Sequence, residues 1–448
     1  MKMNARSVTL ACSSFLAAIG LSLAGCASGS SNPLAAVQAA QAKNVGNFSN
    51  TIFLGDSLTA GYQSNSLLDR AQVHGWANLV ATQAAFNISL PLIAPPGAPS
   101  VLELVSVGPP PDIIPTPGPI TTGRDDPATQ PTDLAVPGAY VNDVVNTIPL
   151  ANPTTPEQQI TQLVLGFPGL GYGQPLSQAG FAIKAQPTTI FLWIGNNDAL
   201  IADETGMPSS MTSVADFTTQ YQLLIAQLTT MTPAHLVIAN IPDVTQVPYL
   251  TPAALVLGEV SAETGLPTAV LSGLLGIVPG DYVNPTGTAE IPLILGGAQK
   301  GPIDDAGVLS AAEVVTVQAQ VTAFNQVIAA QAKAANATLV DINALFAQVV
   351  ASGLTINGYT GTASFLGGFF SLDGIHPTNT GYAVVANAFI DTMNSSINTK
   401  IPDVALGPVA AADPLWPPNL AALPAARRPM MIPANVGKRV DELMLGKK

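Results

Sequence analysis

The apolar residues of this chain fall into short continuous runs that alternate with longer segments of helical spacing. Five runs are rich in strand-forming residues and end at turn-forming ones, at 51–54, 132–136, 188–194, 235–241 and 338–342. Short apolar runs bounded in this way are typical of buried strands. Apolar side chains recur every three or four residues in the segments that predict helices, at 71–86, 213–230, 310–335 and 381–397.

Strands that alternate with helices predict an α/β fold with a mostly parallel sheet that is covered on both faces. Two helices have a recognisable start, because Ser213 with Asp216 and Ser310 with Glu313 are spaced as capping pairs. In open α/β sheets, ligands bind at the carboxyl edge of the strands. We therefore expect the residues that follow the strands at 51–54, 132–136 and 188–194 to lie together at that edge.

Two stretches interrupt the alternation, at about 87–131 and 245–308. The first contains ten prolines between Pro91 and Pro119, a density that excludes a regular helix or a central strand. It predicts an ordered surface excursion or a loose loop. The second is apolar, and 266–278 is nearly free of polar side chains. Such a segment must pack on the body or on substrate, so it is either additional core or a cap over the site.

The amino terminus has the layout of an export signal. Lys2 and Arg6 precede an apolar run, 8–23, that is short for a membrane-spanning helix. The run ends at Leu-Ala-Gly-Cys26, which resembles the bacterial lipobox, and the resemblance implies cleavage before Cys26 and lipidation of that residue. Ala27 in place of Asp is similar to lipoproteins that are sent to the outer membrane. An ordinary signal or a membrane anchor is the alternative.

These features predict a signal peptide at 1–25, a flexible tether at 26–50 that is small and polar, and an exported protein lipid-anchored in the bacterial envelope at the outer membrane. The chain has two cysteines; Cys12 would leave with the signal and Cys26 would carry lipid. No thiol would then remain for a disulfide or a metal. The stretch at 401–448 is Pro-rich and predicts a basic tail along the surface.

Composition and charge narrow the class of partner. The chain has 448 residues, 48% hydrophobic and 10% charged, with a net charge of −13. The charge is uneven, because the tail from Arg427 holds six basic and two acidic residues whereas 26–426 holds seven basic and 26 acidic ones. An acidic body disfavours nucleic acid as a partner. The sequence predicts no oligomeric state.

A candidate nucleophile follows the first strand, in Gly55-Asp56-Ser57. A serine at the carboxyl edge can attack a carbonyl if a base is within reach, although Asp-Ser before a helix is also a common cap. Of the three histidines, His376 alone lies in a loop near a predicted edge, with Asp373 three residues before it. An acid at that spacing can hydrogen-bond Nδ1 and leave Nε2 for the serine.

Four short motifs occur along the chain in one order. They are Gly55-Asp56-Ser57-Leu58, Gly138, Gly195-Asn196-Asn197-Asp198 and Asp373-Gly374-Ile375-His376. Together they resemble the four sequence blocks of the GDSL, or SGNH, serine hydrolases, from about residue 50 to 396. The resemblance implies a three-layer α/β/α sandwich with a mostly parallel, flavodoxin-like sheet, in one hydrolase domain at 51–400.

The resemblance also implies a role for each matched residue. Ser57 would be the nucleophile, His376 the base and Asp373 its partner. The oxyanion hole would be formed by the backbone amides of Ser57 and Gly138 and the side-chain amide of Asn197. The block around Gly138 departs from the family, which often has Asn or Ser near this glycine, whereas here Val-Pro precedes it.

The function implied is hydrolysis of carboxylic esters through an acyl-enzyme on Ser57, with no metal and no organic cofactor. The motifs around Asn325 and Asp341, with Ile241-Pro242-Asp243, resemble the branch that includes phospholipase/lecithinase-like and plant-type GDSL lipases. Two alternatives are a carbohydrate O-deacetylase with the same triad and a non-catalytic surface binding protein on the same fold.

Overall fold

The computed structural model describes residues 33–108, 111–117, 123–166 and 173–422. The signal peptide at 1–25, the lipidated Cys26 and the basic residues from Arg427 onward, all predicted above, lie outside these ranges. The described strands are β1 Thr51–Gly55, β2 Leu102–Ser106, β3 Asp112–Pro115, β4 Thr189–Trp193, β5 His235–Ala239, β6 Thr251–Pro252, β7 Tyr282–Val283, β8 Val308–Leu309, β9 Thr338–Val340, β10 Leu354–Ile356 and β11 Tyr359–Gly361.

Fifteen α-helices are described. They are α1 Pro33–Lys43, α2 Asp69–Gln72, α3 Trp76–Gln83, α4 Val141–Asn146, α5 Pro156–Leu165, α6 Gln178–Ala185, α7 Asn196–Thr205, α8 Val214–Met231, α9 Ala253–Thr264, α10 Thr268–Leu275, α11 Pro285–Leu295, α12 Ala311–Ala334, α13 Ile342–Ser352, α14 Asn379–Ser396 and α15 Leu406–Ala412.

The central sheet has the order β1-β4-β5-β9, and every pair in it is parallel. The expected strand at 132–136 runs along the free edge of β1 without forming a full strand: Phe53 N donates to Thr132 O at 2.9 Å and Val136 N donates to Gly55 O at 3.1 Å. If this segment is counted as the second strand along the chain, and β4, β5 and β9 as the third, fourth and fifth, the spatial order is 2-1-3-4-5, as in flavodoxin. The predicted sheet is confirmed.

The two faces of the sheet carry separate cores, as the alternation of side chains along a strand requires. Ile52 and Leu54 of β1 point into the core beneath α4, α6, α8 and α12, whereas Phe53 lies in the core beneath α3 and α14. On the second face, Phe53 stacks on Phe191 at 4.7 Å and Trp76 stacks on Phe389 at 3.9 Å. The molecule is therefore a three-layer α/β/α sandwich.

Helix boundaries follow local signals where these exist. Ser310 and Glu313 form the reciprocal capping box of α12, and Ser213 caps α8. The single helix expected at 71–86 is instead two helices, α2 and α3. The break falls at Gly75, where an added Cβ would lie 2.9 Å from the Cα of Gly61. This close approach of two backbone segments interrupts the helix.

The two insertions differ in how they pack. The Pro-rich stretch forms the antiparallel β2–β3 hairpin and is anchored in the main core by Ile93 and Leu102, among others, so the expected surface excursion is ordered where it is described. The stretch at 245–308 builds its own core around α9, α10 and α11. Only its first residues, Val247, Tyr249 and Leu250, belong to the main core of the sandwich.

Both ends of the described chain differ from the sequence predictions. Residues expected in a flexible tether form α1, and the side-chain amide of Gln41 donates to Thr229 O of α8 at 2.9 Å. The stretch after 400 forms α15 and buries Trp416 and Asp413. Asp413 accepts hydrogen bonds from the amide and hydroxyl of Thr380, both at 2.7 Å, so the domain extends beyond residue 400.

Within the described residues, no single helix is long and apolar enough to cross a membrane. Taken together, α9 and α10 have the length and apolar composition of a membrane span, but they are bent by 115° at the break between them.

Candidate active site

Ser57 lies just beyond the carboxyl end of β1 and is buried. The turn requires Gly55, because an added Cβ there would meet Trp193 O at 2.5 Å. Asp56 is structural: its carboxylate accepts from Leu58 N at 3.0 Å and from the side-chain amide of Asn196 at 2.9 Å. Burial raises the pKa of Asp56 to about 6, even though both hydrogen bonds lower it.

A continuous chain of hydrogen bonds joins the three residues expected to form a triad. His376 Nε2 lies 2.8 Å from Ser57 Oγ, and His376 Nδ1 lies 3.0 Å from Asp373 Oδ2. All three side chains are buried, with Asp373 fully so. A nucleophile, a base and an orienting carboxylate in this sequence of contacts form the arrangement that activates a serine.

The carboxylate of Asp373 is held by several donors besides the histidine ring. Oδ1 accepts from the amides of Ile375 and His376, both at 2.9 Å, and from the hydroxyl of Ser371 at 3.2 Å. Oδ2 accepts from the amide of Asn65 at 2.7 Å. Burial alone would raise the pKa of Asp373, but the charge and hydrogen bond of His376 and the amide donors outweigh it and leave the pKa lowered.

The loop that follows the nucleophile also belongs to the site and was not predicted from the sequence. Ser64 and Asn65 adopt left-handed backbone angles, with φ of 50° and 59°, and this turn aims the Asn65 amide at Asp373. Tyr62 packs its ring 4.7 Å from the ring of His376, and its hydroxyl donates to Asn65 Oδ1 at 3.2 Å. The sequence signal for this turn was Asn65 after Ser64, because Asn tolerates the left-handed backbone conformation better than most residues do.

Gly138 and Asn197, the remaining predicted oxyanion donors, lie on adjoining segments. Gly138 has a φ of +76°, and Asn197 lies in the first turn of α7, directly after β4. The Asn197 side-chain amide donates to Ala139 O at 2.8 Å. An amide NH₂ has two hydrogens, so this bond fixes the group and leaves a second donor. Asp198 ties the same helix to α4 by accepting from Val141 N at 3.0 Å.

The carboxyl groups near these two segments behave differently from Asp373. Burial raises the pKa of Asp198 to about 7 and that of Asp133 to about 8, because the hydrogen bonds that each accepts do not offset the loss of water. The other two histidines lie elsewhere: His235 begins β5 and contacts Thr338, and His74 lies between α2 and α3. Across the described ranges, no group of three or more His, Cys, Asp or Glu side chains is placed to hold a metal ion.

An apolar pocket with a volume of about 100 Å³ opens beside the triad. Leu58, which follows Ser57, and Ile375 and Pro377, which flank His376, contribute to its wall. The rest of the lining is mainly aliphatic and aromatic, from α13, α14 and the segments after β4 and β5. The described structure thus brings Ser57, Asp373 and His376 together next to an apolar cavity.

Comparison with known proteins places the chain in a family. A family model for GDSL-like Lipase/Acylhydrolase matches residues 52–389. The chain belongs to this family. The matched range of this GDSL hydrolase covers β1, the triad and most of α14, so it spans the sandwich described above. A search of curated proteins found no match.

Solved structures that resemble this GDSL hydrolase include an esterase, a phospholipase and a lipase. A mutant of an acetyl-xylooligosaccharide esterase from Geobacillus Stearmophilus is 12% identical, with 78% of this chain and 96% of that chain covered and a TM-score of 0.35. Phospholipase A1 from Streptomyces albidoflavus is 13% identical, with 78% and 98% covered and a TM-score of 0.33. An extracellular lipase from Streptomyces rimosus is 12% identical, with 78% and 99% covered and a TM-score of 0.32.

Proposed function

We propose that this GDSL hydrolase is a serine esterase or lipase that cleaves carboxylic esters through an acyl-enzyme on Ser57. The observation that carries the proposal is the unbroken hydrogen-bond chain from Ser57 through His376 to Asp373. The same observation argues against a non-catalytic binding protein, which has no need of a buried nucleophile, base and orienting acid in contact.

In the proposed mechanism, Ser57 Oγ attacks the ester carbonyl carbon as His376 Nε2 takes its proton. The C–O bond to the alcohol then breaks, and His376 returns that proton to the leaving alkoxide. Water repeats the sequence on the acyl-enzyme and releases the acid. Asp373 keeps Nδ1 protonated and stabilises the imidazolium, a role that its lowered pKa supports because the carboxylate stays ionised.

The negative oxygen of the tetrahedral intermediate needs preorganised donors. We assign this role to the backbone amides of Ser57 and Gly138 and to the side chain of Asn197. The bond from Asn197 to Ala139 O supports the assignment, because it links the two segments and restrains the amide before substrate binds.

The test is turnover of p-nitrophenyl esters, phospholipids and acetylated sugars by purified wild-type protein and by Ser57→Ala. We expect the variant to lose turnover and to keep the melting temperature of the wild type within a few degrees. Exposed Ser209→Ala is the matched control. Retained turnover in a pure Ser57→Ala sample would remove Ser57 from the mechanism.

A carbohydrate O-deacetylase remains the alternative because it uses the same triad. The apolar lining of the pocket favours an acyl chain over a sugar at that position, and the ester panel separates the two functions. Preference for acetylated sugars over simple esters would support the deacetylase.

We also propose membership of the phospholipase/lecithinase-like, plant-type branch. Asn325, one of the residues that carry this resemblance, accepts from Ile241 N at 2.9 Å and donates to Ile241 O at 2.8 Å. Asp341 accepts from the side chain of Asn240 at 2.8 Å. Through these contacts the residues of the branch motifs hold the backbone that follows β5 in place.

Lipid anchoring through Cys26 at the outer membrane is a further proposal, supported by the Leu-Ala-Gly-Cys sequence. Exported wild-type protein should fractionate with membranes, and Cys26→Ala should release or mis-sort it. A wild-type protein that is soluble and carries no lipid by mass spectrometry would rule this out.

A further inference from the structure

We propose that the preferred substrates are esters of short fatty acids, with roughly four to six acyl carbons, and that the acyl chain occupies the apolar pocket beside Ser57. The inference rests on the proposed esterase function and adds the acyl class, which membership of the family leaves open.

The position of the pocket connects it to the reacting atoms. Leu58 is the residue after the nucleophile, and Ile375 and Pro377 flank the base. In an acyl-enzyme, an acyl chain that leaves Ser57 Oγ on the side away from His376 therefore starts at the wall that these three residues form.

The lining of the pocket selects the chemistry of its occupant. Phe346 and Val349 of α13 and Val384 of α14 line the cavity, and Asn196 is the polar exception among mainly apolar side chains. A sugar placed here would lose hydrogen bonds between its hydroxyl groups and water without replacing them, which costs free energy for each hydroxyl. A methylene chain has no such bonds to lose and gains from leaving water.

The size of the pocket sets the length of the chain. An apolar cavity of about 150 Å³ holds benzene, with six carbons, so the volume of about 100 Å³ found here fits about four carbons beyond the carbonyl. From the insertion at 245–308, Val247 contributes to the lining. The helices α9, α10 and α11 of that insertion are not among the lining elements, so they do not lengthen the acyl site.

Chain-length dependence follows from burial. Each methylene that leaves water should raise kcat/KM about fourfold, until the pocket is full. Acetate leaves most of the pocket empty, and the outer part of a laurate chain would stay in water. We therefore expect kcat/KM for p-nitrophenyl esters to rise roughly 10²-fold from acetate to hexanoate and to stay level or fall from octanoate to laurate.

Two substitutions on α13 test the assignment. Val349→Phe fills the pocket from its buried position and should lower the hexanoate-to-acetate ratio of kcat/KM at least tenfold. Val350→Phe is the matched control, because Val350 is the next residue on the same helix, is 40% exposed and does not line the pocket. The control should keep the wild-type ratio.

Phe346→Ala enlarges the pocket and should move the best substrate towards octanoate, which keeps the test decisive if Val349→Phe does not fold. Best turnover of acetate or of laurate by the wild type would overturn the proposal. So would an unchanged ratio in both pocket variants. If the wild type hydrolyses no ester in the series, the esterase function itself is wrong; hydrolysis with unchanged ratios contradicts the acyl pocket alone.

Discussion

On one side of Ser57, the base side, the loop at 371–377 concentrates charge and hydrogen bonds on Asp373 and His376. On the other, the oxyanion side, the segments 133–139 and 195–198 are fixed by backbone geometry and by the bond between Asn197 and Ala139. The pKa of Asp373 is lowered, whereas the pKa of Asp198 is raised to about 7 and that of Asp133 to about 8.

This difference matches what each side must stabilise. In the proposed mechanism an imidazolium forms on the base side, and an ionised Asp373 next to it is favourable. The same mechanism places the oxyanion on the other side, where an ionised carboxylate would repel it. Burial raises the pKa of Asp133 and of Asp198, which favours their neutral forms and so reduces negative charge on the oxyanion side.

The largest effect is expected for Asp373→Asn, which removes the charge from the base side and keeps the size of the side chain. The amide favours the wrong tautomer of His376, and kcat should fall about 10⁴-fold. Steady-state kinetics on a p-nitrophenyl ester measures it, with exposed Asp403→Asn as the control. A loss below tenfold would mean that Asp373 only packs the loop.

Next comes Asn197→Ala on the oxyanion side. Loss of a donor that acts in the transition state should lower kcat about 10²–10³-fold with little change in KM. The competing interpretation is that Asn197 only stabilises the turn before α7. In that case the melting temperature falls and kcat per folded molecule stays normal, so measuring both on one sample decides the matter.

The two sides should change the free energy of unfolding in opposite directions as the pH rises. Asp373, with a lowered pKa, contributes stability that is present above about pH 4 and lost as pH falls further. Asp133, with its pKa raised to about 8, contributes stability that is full below about pH 4 and lost as pH rises towards 8.

Asp133→Asn should therefore flatten the decline of the unfolding free energy, and with it of the melting temperature, between pH 5 and pH 8, where Asp133 accounts for a loss on the order of 4 kcal/mol. Asn can keep the acceptor for the Ala135 amide, which bonds to Asp133 Oδ1 at 3.1 Å. Thermal melts across this pH range are the measurement, and a slope identical to the wild type would show that Asp133 is ionised in the fold.

The smallest effect is expected for Tyr62→Phe, which removes one hydroxyl from the base side. The ring still packs on His376, so kcat should change only a few-fold and the free energy of unfolding by about 0.5–1.5 kcal/mol. Tyr62→Ala removes the ring as well and should lower kcat further. Equal kcat in both variants would show that the ring does not position the imidazole.

Sequence patterns predicted the parts of this molecule that depend on local signals. The strand before Ser57 and the Asp373–His376 pair are each contained in a few consecutive residues, so a short motif holds the information for each. The Asn65 amide on Asp373 joins residues 308 positions apart, and the contact depends on an αL turn that no composition specifies. Long-range placement of that kind is set by tertiary packing.

The error after residue 400 and the error in the helix at 71–86 have the same cause. The error at 33–43 does not, because that segment contains five alanines with Leu, Gln and Lys, which are strong helix formers, and α1 then packs on α8 through Gln41. The helix break at Gly75 depends on Gly61, on a different segment. The choice between added core and a cap for 245–308 was also left open, because an apolar pattern does not say which surface it covers.

The separate core of the 245–308 insertion has a consequence for how this enzyme can diversify. The insertion contacts the last turn of α7, where the side-chain amide of Asn284 donates to Asp203 O at 3.0 Å, and it reaches the acid loop through Tyr249 N and Gly374 O at 2.9 Å. Substitutions within α9, α10 and α11 can accumulate without altering the sheet. The insertion is thus a module whose own core selection or an engineer can rebuild, provided its contacts with α7, with α12, with the acid loop and with the main core are kept.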